Sequence, residues 1–275
     1  MIDDDVDPIG RQAVEQLIRD GVCSSVIYPR EAGSTSSLAL EFLRRGNWSH
    51  EDERILFLTD RQTAGRGRHG RSWQSNDQNL AFSIVLAGHD RDSPLNQLTG
   101  LAVGVAVAQS IEFELSPLKT RLKWPNDIYV DGGKAAGILL ETVANVAGAI
   151  VVGVGINVGF SPDLKDDPRS GIVRDLSTSA GRSVHRYELL PTLVQQITDA
   201  IGQLPDNLTE IRREFDQRCL LKGHQVSFRH NTDSSESTRH GQCHGIAEFG
   251  ELKIESENGM ELLTSGEAQL LRIVA

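Results

Sequence analysis

The chain has 275 residues and a formal net charge of -10, an acidity that argues against a general nucleic-acid binder, whose surface is basic. No apolar run reaches the roughly 18 residues of a membrane span, and the acidic start MIDDDVDP lacks the parts of a signal peptide. Cys23, Cys219 and Cys243 lie too far apart for a disulfide framework or a zinc site. The expectation is a cytoplasmic soluble protein, built as one large domain or as a large domain plus a small one.

Residues 11–19 put Val14, Leu17 and Ile18 at helical spacing. Ser34 to Ser37 offer N-cap hydroxyls to a helix through LALEFLRR, with Leu38 and Phe42 sharing a face. Residues 54–58 and 80–86 read as strands flanking an arginine–glycine segment. Residues 95–113 form a buried helix, with Leu98, Leu101, Ala102, Val105 and Ala108 repeating at helical period. Strands follow at 121–123, 136–143 and 149–158, the last apolar enough to be covered on both faces. Residues 160–174, with Pro162 and Pro168, form a polar loop. Two helices come next, one striped by Leu189, Leu190, Leu193, Val194, Ile197 and Ile201, the other by Leu208, Ile211 and Phe215. Beyond Leu221, short alternating stretches predict a small all-β module with a hairpin tip around 231–242.

Four motifs carry chemistry. The segment 61–71, RQTAGRGRHGR, holds Arg61, Arg66, Arg68 and Arg71 with three glycines and no acid. It is a candidate anion site whose glycines permit tight turns. Gly65-x-Gly67-x-x-Gly70, with Asp90 twenty residues on, also spells a dinucleotide fingerprint. That fingerprint needs a helix starting inside the glycine run. Here a Ser/Asn/Asp-rich stretch and a strand follow, so the Rossmann reading fails. In Lys123-Trp124-Pro125-Asn126-Asp127, proline forces a fixed turn and projects Asn126 and Asp127 at a strand end; a plain capping turn is the alternative. Gly132 and Gly133 make a hairpin turn before Lys134, which is either a solvated turn lysine or part of a convergent site. Gly153 and Gly155 sit inside a buried strand, where glycine marks close approach. Asn157 beside them must find hydrogen-bond partners, as a structural or a binding residue.

The order GSTSS (33–37), QTAGRGRHGRSW (62–73), KWPNDI (123–128), GKAAGIL (133–139) and GVGINV (153–158) resembles the catalytic core of the biotin–protein ligases. The tail from 244 to 272 is similar to their small C-terminal SH3-like barrel. The resemblance implies an α+β fold: a mixed β-sheet flanked by helices, of the class II aminoacyl-tRNA synthetase-like type, with a C-terminal SH3-like β-barrel. It implies a catalytic domain over 1–221, with its core from about 27, and a second domain over 222–275.

The same resemblance implies an enzyme that joins biotin to ATP with Mg²⁺. The biotinyl-5′-AMP formed passes its biotin to one lysine of a biotin carboxyl carrier protein, such as an acetyl-CoA carboxylase subunit. Ser34, Thr35, Ser36 and Gln62 would meet the biotin ring, and Gly65, Arg66, Gly67 and Arg68 would close over the adenylate. Lys134 would lie near the biotin carboxylate and the reacting phosphate, and Gly137 would contact biotin. Trp73, Lys123, Asn126, Asp127 and Asn157, with Arg66 and Arg68, would handle the nucleotide. Arg68, Lys123, Lys134 and Asp127 are the expected catalytic set. Asp127 is the candidate metal ligand and the one candidate base. Ser36 stands where the family usually has asparagine, which alters the ring contacts. The residues before about position 27 are too few for the DNA-binding domain of bifunctional members, so no DNA partner and no repressor role are expected. A homodimer and a monomer stay equally open. A lipoate or octanoate ligase or transferase of the same fold is the nearest rival, and a non-catalytic binding module is a further one.

Overall fold

The structure is a computed structural model, described here for all residues except 49–53, 89–94, 145, 163–171, 231–236 and 272–275. Asp90, Pro168 and the first half of the expected hairpin tip, residues 231–236, therefore lie outside the described residues.

Helix α1 (Pro8–Arg19) starts earlier than the apolar spacing implies, because Asp7 caps the backbone N–H groups of Ile9 and Gly10 and Pro8 opens the first turn. Val14 and Leu17 are buried, whereas Ile18 is exposed. Strands β1 (Ser25–Ile27), β2 (Glu31–Ala32), β3 (Ile55–Leu58), β4 (Arg61–Gln62) and β5 (Leu80–Ala87) come with helix α2 (Thr35–Arg44). The buried face of α2 is Ala39, Leu40 and Leu43, with Leu38 and Phe42 only half-buried at its side. Helix α3 (Leu95–Glu114) precedes β6 (Arg121–Lys123), β7 (Asp127–Val130), β8 (Gly133–Glu141) and β9 (Ala149–Ile156). The short strand β7 was not visible in the sequence pattern. It places Asp127 at the start of a strand rather than at the end of one.

These strands form a seven-stranded mixed sheet in the order β1-β3-β5-β9-β8-β7-β6, parallel only at β1–β3, while β2 and β4 pair separately. Strand periodicity divides it. Even positions of β5 and β9, including Leu80, Phe82, Ile84, Val152, Val154 and Ile156, join the main core with α3. Val85 and Val151 at odd positions pack against α2 in a second core with Ala39, Leu43 and Phe57. Further along the same odd rows stand Ala81, Ser83, Gly153 and Gly155. There the side chains shrink and space opens beside the N-terminus of α2.

Helix α4 (Leu176–Ala180), absent from the sequence reading, leads to α5 (Leu190–Gly202) and α6 (Leu208–Arg218), which pack on α3. The tail is a five-stranded antiparallel sheet of β10 (Gln225–Arg229), β11 (Arg239–Ile246), β12 (Leu252–Ser256), β13 (Gly259–Leu263) and β14 (Glu267–Leu270). Its order, β13-β12-β11-β10-β14, is open, since the edge strands β13 and β14 do not pair with each other. Residues 239–242, expected at a hairpin tip, belong to β11. The tail sheet is tied to the body by Trp124, which is buried and donates its indole N–H to the Gly250 carbonyl at 3.0 Å.

Candidate active site

A cavity of about 460 Å³ opens over the odd rows of β8 and β9, within the range of small-molecule sites. It is lined by every residue expected at the site except Gly65. Its two ends differ in chemistry.

One end is built of hydroxyls. Ser34, Thr35 and Ser36 are 3%, 2% and 6% exposed at the start of α2. They do not cap the helix as expected, for the Ser34 side chain makes no capping bond. Gln62 on β4 does so instead, its Oε1 accepting the Thr35 backbone N–H at 2.9 Å. The Thr35 and Ser36 hydroxyls turn inward to Ser83, at 2.9 and 3.0 Å. Gly153 makes room for this, since a Cβ there would meet Ser36 Oγ at 2.5 Å.

The middle is a slot for Trp73. Its indole lies against Gly155, where a Cβ would sit 2.4 Å from Trp73 Cε2, and against Gly137, where a Cβ would sit 3.2 Å from Cζ3. Both glycines are thus explained by close approach of a side chain. The Trp73 Nε1 donor is buried and has no hydrogen-bond partner among the described residues.

The other end is cationic. The arginine–glycine loop closes on itself, Trp73 N donating to Gly65 O at 2.9 Å and Gly67 N to Arg71 O at 2.8 Å. It contains a three-residue 3-10 turn and no α-helix, as the rejection of a dinucleotide fold requires. Its glycines do different work. Gly70 has a left-handed φ of 71°, Gly65 is needed because a Cβ would meet Trp73 O at 2.4 Å, and Gly67 is extended at φ -122°. Arg66, Arg68 and Arg71 line the cavity, while Arg61 pairs with Glu31 away from it. Arg68 donates to Asn126 Oδ1 at 3.2 Å, and Asn126 is braced by donating to Ile138 O at 2.7 Å. Burial depresses the Arg68 and Lys123 pKa values, partly offset in both by the Asp127 charge. Lys134 Nζ lies 2.5 Å from Asp127 Oδ1 and 5.7 Å from the Trp73 ring centroid. Arg66 forks onto Glu141 at 2.6 and 3.1 Å. Asn157 is 1% exposed, and its Nδ2 donates to Lys134 O at 3.4 Å while its Oδ1 accepts from Asn79 at 3.5 Å. It serves the junction of β8 and β9 as well as the cavity wall.

Several lining residues escaped the sequence reading. Arg71 was visible only as one more loop arginine. Glu267, Ala268 and Gln269 come from β14 in the tail sheet, and Arg71 pairs with Glu267. No local pattern could have joined positions so far apart. Ser83, which stands behind the lining and bonds to Thr35 and Ser36, also carried no signal within an apolar strand.

The fold and site define the class first. Residues 30–157 match the model of the Biotin/lipoate A/B protein ligase family. The chain is 31% identical over 268 residues to the bifunctional ligase/repressor BirA of Bacillus subtilis, covering 93% of this chain and 78% of that protein. It is 30% identical over 199 residues to the biotin–[acetyl-CoA-carboxylase] ligase of Mycobacterium tuberculosis, covering 71% of each. The biotin protein ligase of Aquifex aeolicus, solved with biotin and ATP, superposes with a TM-score of 0.73 at 28% identity, over 90% of this chain and 99% of that one. The chain belongs to the biotin protein ligases of this family.

Proposed function

We propose that the protein is an ATP-dependent biotin–protein ligase, which activates biotin as biotinyl-5′-AMP and transfers it to a lysine of a biotin carboxyl carrier protein. The observation that carries this is one cavity joining a buried hydroxyl and amide end to a cationic end across a tryptophan slot. The first end suits a small polar ring, and the second suits a carboxylate beside a triphosphate. Biotin and ATP are substrates of this reaction, and the named relatives favour biotin over a lipoyl group.

The chemistry follows from charge. Two anions, a carboxylate and an α-phosphate, must meet while negative charge grows on phosphorus and on departing pyrophosphate. Fixed donors aimed at that charge are the main requirement. Arg68, held by Asn126, and Lys123 supply them from the floor, and Lys134 supplies another where the carboxylate would lie. Arg66 and Arg71 approach from the loop, which excludes water from the mixed anhydride once folded over it. In the second step a neutral lysine amine attacks the acyl carbon and AMP leaves. Asp127 is the carboxylate this reading assigns to accept the proton, with Lys134 at 2.5 Å holding its orientation.

Mg²⁺ fits as an ion carried by the phosphates. Among the described residues no group of three or more His, Cys, Asp or Glu could hold a metal. Asp127 is the carboxylate beside Lys123 and Lys134 that would add one protein ligand, an arrangement common for Mg²⁺. The ion would neutralise phosphate charge.

The domain division at about 221/222, an SH3-like role for the tail sheet and a cytoplasmic location complete this reading. The division and the role of the tail sheet are supported by the change of texture at Leu221 and the bulge between Cys243 and Gly245, which bends β11. Incubation with biotin, MgATP and a carrier domain, with lipoate in a parallel tube, tests the proposal by mass spectrometry. A biotin-sized gain in carrier mass is expected; no gain, or a lipoyl gain alone, refutes it.

A further inference from the structure

The hydroxyl end of the cavity has a direction, and that direction can be worked out by counting protons. A hydroxyl donates one hydrogen bond and accepts two; an amide oxygen only accepts. Gln62 Oε1 receives the Thr35 backbone N–H at 2.9 Å, which settles which end of that amide faces α2. The same Oε1 lies 3.3 Å from Thr35 Oγ1, so the single threonine proton points to it. Thr35 Oγ1 must then accept from Ser83 Oγ, 2.9 Å away. That uses the only proton on Ser83. Ser36 Oγ, 3.0 Å from Ser83, is therefore the donor of the remaining bond. The chain of protons runs from Ser36 to Ser83 to Thr35 to Gln62.

The cavity wall inherits a polarity from this chain. Ser36 and Thr35 have spent their protons inward and show lone pairs to a ligand. Gln62, whose oxygen is occupied, shows its N–H₂. Ser83 is 0% exposed and is no part of the lining, yet among the described residues it is the one group hydrogen-bonded to both hydroxyls. It stands in the odd row of β5, held opposite Gly153 of β9 by antiparallel register, so neither backbone nor rotamer has much freedom to replace it.

We propose that Ser83 is a positioning residue that sets this polarity, so that the site selects a ring bearing N–H donors. The inference rests on the biotin reading and deepens it. A ureido ring brings N–H groups to Ser36 and Thr35 and a carbonyl to Gln62. A dithiolane ring brings neither, and would leave buried acceptors unpaired. Removing the Ser83 hydroxyl frees the Ser36 proton to turn toward the ligand and takes the donor from Thr35, so the wall loses its preference for N–H.

The test compares biotin with ring-N-methylated biotin by calorimetry, in the wild-type protein, Ser83→Ala and Ser83→Cys. Ser83→Ala should weaken biotin about tenfold, the order of one lost neutral hydrogen bond with its knock-on effects. It should also shrink the biotin to N-methylbiotin affinity ratio several-fold. Ser83→Cys keeps a weak donor on a slightly larger side chain, and its affinity ratio should fall between. The ATP KM should not move. A packing role alone would weaken both ligands equally, so an unchanged ratio in the variants overturns the proposal. If Ser83→Ala has no cooperative melt, the Ser83→Cys ratio decides. A wild-type protein that fails to bind biotin would instead refute the functional reading beneath it.

Discussion

Gly155→Ala is the sharpest perturbation of this site, because it adds one methyl group in a known direction. The new Cβ would lie 2.4 Å from Trp73 Cε2, 2.7 Å from Nε1 and 2.8 Å from Cζ2, where ordinary contact is 3.4–4 Å. The indole must move by about 1 Å to restore contact distance, and room on its far side is small, since even a Cβ at Gly137 would lie 3.2 Å from Cζ3. Overpacking of this kind costs about 1–3 kcal/mol. Trp73 hangs from an exposed loop and can swing outward, so the low end applies, and Tm should fall by roughly 2–4 °C at this chain length. Activity should suffer more. Displacement of about 1 Å beside the reacting groups costs on the order of 100-fold, read here as kcat/KM for ATP in a pyrophosphate-release assay. The double variant Gly155→Ala/Trp73→Ala should melt like Trp73→Ala alone, since the clash has no second party, while its activity stays low. Strict additivity of the two Tm changes would refute the argument, because residues in contact must couple.

Arg68→Ala should lower the rate of adenylate formation by on the order of 100-fold, the usual loss for one charge-stabilising donor, with Tm little changed; single-turnover pyrophosphate release measures it. Burial lowers the Lys123 pKa from 10.5, so its cation is lost at a lower pH than an ordinary lysine's as pH rises. The unfolded chain binds more protons in that window, so stability rises with pH while activity falls. The rate should thus show an alkaline limb in a folded protein, and Lys123→Arg should remove it. Glu267→Gln should lower the ATP KM about fivefold, because a carboxylate facing phosphates at high effective dielectric costs about 1 kcal/mol; an unchanged or higher KM would mean that Glu267 mainly places Arg71.

Legibility in the sequence followed the range of the interaction. The long strands and helices were readable because burial imposes period: β5 and β9 follow from their apolar runs, and α3 and α5 from their stripes. Short elements set by tertiary pairing, such as β7, β13 and α4, left no such trace. At the site, the glycine pair 153/155 announced a close approach, but not that Trp73 was the approaching group. The capping hydroxyls of Ser34 to Ser36 were misassigned because a glutamine 27 residues away from Thr35 competes for the same helix end. Glu267 and Ser83 matter only through contacts that chain folding creates, so no motif could name them.

The two ends of the cavity also differ in how their charge and polarity are balanced without a ligand. The hydroxyl end is satisfied internally, by bonds among groups that are almost wholly buried. The cationic end is balanced by carboxylates: Arg66 by Glu141, Arg71 by Glu267 and Lys134 by Asp127. Arg66 and Arg71 are each 41% exposed in these pairs, and exposed ion pairs contribute only about 0–1 kcal/mol. Exchanging a carboxylate for a phosphate therefore costs the protein little, while a triphosphate offers each cation a more highly charged partner. Lys134 is less free, with its side chain 30% exposed and Asp127 19% exposed. It keeps its carboxylate and adds the ligand's. The loop arginines can thus leave their partners to follow the nucleotide, while Lys134, Arg68 and Lys123 hold the floor on which it lands.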